Sequence, residues 1–167
     1  MSRRTRLAGI LVLVAACGAT ARAVAPEIRD LGKFFSADAI KKADAEIREI
    51  ARKHDLDLLI ETYPTVPADQ VEKVKALDGK ARSEFFTHWA EERVKERVVN
   101  GVYILICQEP RYLKVEISGR GRKAFTPADR DRIFKAIRTE FAAGRFEDGL
   151  HAAIRLVEQH LSKDSAK

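Results

Sequence analysis

Beyond residue 35, the alternation of apolar and polar positions divides the chain into seven elements. Ser36 is a good N-cap with Asp38 in the turn behind it, and Ile40, Ala43, Ile47, Ile50 and Ala51 then recur at helical spacing. That pattern predicts an amphipathic helix of about 18 residues. Leu56 to Tyr63 reads as a strand, closed by the Pro64-Thr65-Val66-Pro67 turn. From Pro67 to Asn100 the pattern is helical, with a break at Asp78-Gly79. The first piece is short and polar apart from Val71, Val74 and Leu77; the second places Ala81, Phe85, Trp89 and Ala90 on one stripe. Its tail, Glu91 to Arg97, is dense in both charge signs and reads as a solvated face.

Asn100-Gly101 marks a turn into Val102 to Cys107, an unbroken apolar run. A strand of that kind is buried on both faces, so layers must cover both sides of its sheet. Gln108 to Arg111 connects it to a half-exposed antiparallel partner, where Leu113, Val115 and Ile117 alternate with Lys114, Glu116 and Ser118. Thr126-Pro127-Ala128-Asp129 is a strong helix start, and Ile133, Phe134, Ile137 and Phe141 form the stripe behind it until Gly144. Phe146, Leu150, Ile154, Val157 and Leu161 mark a last helix, and residues 162–167 form a polar tail. The order helix, strand, helix, strand, strand, helix, helix implies an α/β fold: a small mixed sheet with helices on both faces. No repeat or linker divides the chain, and 46% apolar content is enough for one core.

The N-terminus carries a different signal. Arg3, Arg4 and Arg6 precede an apolar stretch from Leu7 to Ala16, the layout of a secretory signal and far short of a membrane span. Two processing routes stand open. Cleavage after Ala23 in Ala21-Arg22-Ala23 would leave residues 24–35 as a lead-in to the domain over 36–161. Alternatively, Val14-Ala15-Ala16-Cys17 has the form of a lipobox, which would make Cys17 a lipidation site and the protein a membrane-anchored one. The domain is expected to be exported to the periplasm or beyond the cell. No second hydrophobic segment follows the last helix, so any tether is expected at the N-terminus.

Removal of the signal changes the charge argument. The chain has 31 basic and 25 acidic residues, but residues 1–23 hold four arginines and no acid, which leaves 27 against 25, or +2. A nucleic-acid partner is therefore not expected. Cys107 would be the one remaining thiol, a small buried hydrophobe.

Candidate chemistry is sparse. His54, His88, His151 and His160 sit on predicted helices or at their ends without metal-site spacing, and read as surface or helix-end residues. Gly119-x-Gly121 lacks the third glycine and the following helix of a dinucleotide fingerprint. Arg111, Lys114, Arg120, Arg122 and Lys123 gather around one hairpin and its exit. They suit either an anion or phosphate site or a charged edge that resists aggregation. Glu147-Asp148 either favours the positive end of the last helix or, with Glu109, supplies oxygen ligands for a hard cation.

Three stretches together resemble the TPM domain family. Asn100 to Ile106 is similar to the family's Asn-Gly turn and central apolar strand, and Tyr112 to Gly121 to its next strand with a Gly-x-Gly exit. Phe141 to Leu150 resembles its Phe-x-x-Gly-aromatic-x-x-Gly junction between the last two helices, and Trp89 falls where the family commonly has a tryptophan. The resemblance spans Phe34 to Leu161 and implies a three-layer α/β/α sandwich, exported or tethered to a membrane. It also implies that some members are acid phosphatases and that some bind calcium in loops near one end of the sheet. Glu109-Pro110-Arg111 departs from the family's acidic-basic pair, with proline inserted and Glu for Asp, which weakens transfer of such a site. The leading expectation is a monomeric binding or quality-control module of the cell envelope, acting on an envelope or membrane protein. The alternative is a weak acid phosphatase assisted by a divalent cation such as calcium, with Glu109 and Asp148 as ligands and Arg111 and Arg120 as clamps.

Overall fold

A computed structural model describes residues 27–164, so the expected signal segment and Cys17 lie outside the described residues. In chain order the elements are β1 (Arg29–Asp30), α1 (Ala37–His54), β2 (Asp57–Thr65), a 3-10 turn (Ala68–Gln70), α2 (Val71–Lys75), α3 (Gly79–Glu96), β3 (Gly101–Glu109), β4 (Tyr112–Ile117), α4 (Gly121–Ala124), α5 (Pro127–Ala142) and α6 (Phe146–Asp164). The four strands lie in the order β1-β2-β3-β4; the first three are parallel and β4 is antiparallel to β3.

The sandwich follows from the double burial of the central strand. Val102, Ile104 and Ile106 of β3 pack with Leu58 and Ile60 of β2 against α1, α5 and α6. Tyr103, Leu105 and Cys107 point the other way, with Leu59, onto Phe86, Trp89 and Ala90 of α3 and Val74 of α2. Two hydrophobic layers thus share one sheet, and neither helical layer touches the core of the other.

Helix ends were legible because their caps are local. The Ser36 hydroxyl accepts from the Ala39 N–H at 3.2 Å, the Asp78 carboxylate from Ala81 at 2.8 Å, and Thr126 and Asp129 form a reciprocal capping box. Three features differ from the sequence reading. The lead-in contains β1, a two-residue strand that pairs Arg29 with Glu61 and Asp30 with Thr62. On α3 the residue driven fully into the core is Phe86, at 0% exposure, while Phe85 is half-buried beside it. His54 ends α1 and His88 is a surface residue at 70%, as read, but His151 and His160 are largely covered within α6, with side-chain exposures of 16% and 25%, and His160 stacks on Phe125.

Candidate functional site

The parallel strands direct their carboxyl ends toward one rim of the sheet, where open α/β folds commonly place ligands. There the loop after β1 turns back over the sheet and is held by side chains. Asp30 accepts from the backbone N–H groups of Phe34 (3.0 Å) and Phe35 (2.9 Å), and Thr62 accepts from Gly32 N–H at 2.9 Å while its hydroxyl donates to Asp30. Phe34 is thereby set against Phe141 (ring centroids 5.7 Å) and Phe146 (5.2 Å), and these two meet edge-on at 5.0 Å. Gly149 permits the junction, since a Cβ there would lie 2.7 Å from the Phe141 ring. The Glu147 carboxylate ties the loop to α6 by accepting from Ser36 N–H at 3.1 Å.

Between this aromatic group and the end of β3 and β4 lies a cavity of about 740 Å³, within the size range of small-molecule sites. Phe34, Phe134, Phe141, Phe146, Ile106 and Leu113 form its apolar wall, with Arg111 and Arg138 as its cations. A shallower hollow of about 370 Å³ adjoins it through Phe34, Gly144 and Phe146 and reaches Glu147 and Asp148.

The structure separates the residues that the sequence drew together. Arg111 is at the cavity, in the β3–β4 turn. Arg120 and Arg122 are at the opposite end of the sheet, across a nine-residue strand that spans roughly 26 Å. There Arg120 ion-pairs with Asp55, its N–H donates to the Asn100 side chain at 2.6 Å, and Arg122 donates to the Ile117 carbonyl at 3.1 Å. No single anion site can use all three. Lys114 is also engaged, donating to Thr87 at 2.9 Å.

Glu109 and Asp148 do not meet either. By strand alternation with Tyr103, Leu105 and Cys107, Glu109 faces the α3 layer, whereas Asp148 lies in the first turn of α6 on the other face and neighbours Arg145 at 3.6 Å. These two carboxylates do not fit a shared calcium site, and among the described residues no group of three or more His, Cys, Asp or Glu is placed to hold a metal ion.

Sequence reasoning missed the most polar feature of the interior. Glu61, at 0% exposure in the middle of β2, points into the α3 layer. Its Oε1 accepts from Arg93 Nη2 at 2.8 Å and from Arg29 and Arg97 at 3.2 Å each. Its Oε2 accepts from Arg93 Nε (2.8 Å) and from the hydroxyls of Tyr63 (2.8 Å) and Tyr103 (2.9 Å). Burial drives this carboxyl toward its neutral form, but the Arg93 guanidinium and the two hydroxyls outweigh it and hold the group below the usual carboxylate range. Both tyrosines are pushed up in turn by burial and by the Glu61 charge. Arg93 therefore does not belong to a solvated face: its side chain is 18% exposed. The signal was present, since Phe86, Ala90, Arg93 and Arg97 continue one helical stripe, and Glu61 is a lone acid in an apolar strand.

In the same α3 layer, burial pushes the Cys107 thiol up to about 11, so it is an inert core group.

Fold and site together define an α/β sandwich with an aromatic cavity at the carboxyl ends of its parallel strands. The model of the TPM domain family matches residues 28–160, and the chain belongs to that family. Solved structures share the fold. An N-terminal domain from P. gingivalis aligns at TM-score 0.61 with 15% identity, covering 82% of each chain. The N-terminal domain of the cg2496 protein from Corynebacterium glutamicum aligns at 0.54 with 16% identity over 95% of this chain and 90% of that one. The BA42 protein from Bizionia argentinensis aligns at 0.56 with 20% identity over 78% and 83%. No curated protein matches the chain.

Proposed function

We propose that this TPM domain is a ligand-binding module of the cell envelope, exported by its N-terminal signal, that recognises its target at the rim cavity. The observation that carries this reading is the cavity itself: about 740 Å³ of mainly aromatic space, held open by the Asp30–Thr62 loop anchor and the Phe141–Phe146 junction. Such a chamber binds by burying apolar surface, and its cations orient what enters. An envelope or membrane protein that presents an apolar segment is a suitable partner for a quality-control role.

A second reading, an acid phosphatase, draws on the family resemblance and on Arg111 at the cavity, where a guanidinium can clamp phosphate oxygens. A cation-assisted version would need Glu109 and Asp148 to bind ions separately, since they occupy different faces of the sheet. One experiment separates the readings: hydrolysis of p-nitrophenyl phosphate by the purified protein at acid pH, with and without calcium or magnesium, alongside thermal melts. The binding-module reading expects no turnover above a blank and no cation-dependent melt. Robust turnover that Glu109→Gln or Arg111→Ala abolishes would overturn it in favour of the phosphatase.

A further inference from the structure

The cavity is divided by chemistry. Four phenylalanines make its wall, while its positive charge comes from Arg111 in the β3–β4 turn and Arg138 on α5. Of the acids nearby, Glu140 and Asp148 are committed to Arg145 and Glu147 to the Ser36 N–H, while Glu109, two residues before Arg111, faces the α3 layer on the other side of the sheet. Among the described residues neither Arg111 nor Arg138 has an ion pair or a hydrogen-bonded side chain, and both are solvent-exposed. Among the other described residues arginines are almost always partnered, as Arg93 is by Glu61 and Arg120 by Asp55. Two unpaired guanidiniums on one aromatic chamber leave an uncompensated positive potential where an apolar group would be buried.

We propose that the cavity binds a small amphipathic anion, with an acyl or aromatic body in the phenylalanine chamber and a terminal carboxylate or phosphate held by Arg111 and Arg138. This rests on the binding-module reading and names its ligand class. The body supplies apolar burial, and the two guanidiniums supply charge-assisted hydrogen bonds to the end group. Neither half is sufficient alone. A free inorganic anion gains nothing from the phenylalanines, and a neutral chain leaves the arginines unanswered.

The test is calorimetric titration of the purified protein with decanoate, decyl phosphate, decanol and inorganic phosphate, all below micellar concentrations. Both amphipathic anions should bind one to one, and the tighter of the two identifies the natural end group. Decanol should bind at least about tenfold more weakly, the scale of one lost charge-assisted hydrogen bond, and inorganic phosphate, which forgoes burial of the chain, at least as much more weakly. Arg111→Ala and Arg138→Ala should each weaken the anions by about tenfold and leave decanol unchanged, and the loss should shrink at high salt. Ala142→Trp, which fills the chamber from the end of α5, should abolish binding of all chains. Equal affinity for decanol and decanoate, or arginine variants that bind like the parent, would overturn the anion proposal while leaving a binding cavity in place. Absence of binding by every probe, with unaltered circular dichroism, would overturn this proposal and leave the binding-module reading to a protein segment as its target.

Discussion

Glutamine in place of Glu61 keeps the shape of the side chain and removes the charge on which six donor contacts converge. Arg93 loses most, because it gives two hydrogen bonds at 2.8 Å and its side chain is only 18% exposed. Arg29 and Arg97 are 42% and 36% exposed and rehydrate, so their share is at most about 0.5 kcal/mol each. The amide would also direct an N–H₂ group at donors. Removing one partner of a buried pair costs about 3–5 kcal/mol. Arg93 keeps its contact with Glu96, which argues for the lower end, about 3 kcal/mol. In a domain of this size that lowers Tm by roughly 10 °C. Urea unfolding followed by fluorescence of the single tryptophan, Trp89, which packs in the same layer, measures the loss directly. The pH dependence adds a second readout. The folded carboxyl titrates below its unfolded value, so its stabilisation is complete above about pH 4.3 and disappears as pH falls through the folded value. Parent and Glu61→Gln should therefore stay a constant distance apart near neutrality and converge in acid. Exchanging both partners, as Glu61→Leu with Arg93→Met, should recover much of what Glu61→Leu loses. A loss under about 1 kcal/mol, or a difference that does not depend on pH, would refute the argument that this cluster is a desolvated anchor.

Other consequences can be checked more briefly. Gly101→Ala places a Cβ 2.1 Å from the Asp57 carbonyl oxygen, a backbone atom that cannot retreat, and should cost about 3 kcal/mol in denaturant titration. Gly79→Ala, at the start of α3 with nothing within 4 Å of the new methyl, should instead stabilise by about 0.5–1 kcal/mol. The Cys107 thiol, pushed up to about 11 by burial, should react with a disulfide reagent at pH 8 only on unfolding, and rapid labelling of the native protein would contradict its placement. Mass spectrometry of the protein from its host should find either a diacylated Cys17 or a free Val24 as the first residue, and a retained Met1 would remove the export argument.

Legibility in the sequence tracked the range of the interaction. The cap at Ser36, the break at Asp78-Gly79 and the capping box at Thr126 are each settled within three residues, so those boundaries could be read directly. The double burial of Val102 to Cys107 needed only a run of apolar residues, and it correctly demanded helices on both faces. Arg111, Arg120 and Arg122 misled for the opposite reason. They are close in sequence, but β4 carries the chain the full length of the sheet between the first and the other two. Closeness along an extended strand is distance in space.

The strand β1 shows what pattern reading could not supply. Two residues cannot display a period, and Arg29-Asp30 has the composition of a loop. It becomes a strand because its side chains are clamped on both faces of the sheet at once. Arg29 reaches Glu61 in the α3 layer, and Asp30 reaches Thr62 in the opposite layer, each across its own register pair. The first contact joins the sheet edge to the buried charge cluster; the second fixes the loop that presents Phe34 to the cavity. Consecutive residues of β2 therefore tie the molecule's most desolvated electrostatics to the wall of its candidate binding site. A variant such as Thr62→Val, which keeps volume but removes the hydroxyl that Gly32 and Asp30 share, should loosen the cavity without disturbing the Glu61 cluster. If cavity binding and core stability instead fell together in that variant, the two faces would form one cooperative unit rather than two anchors on a common strand.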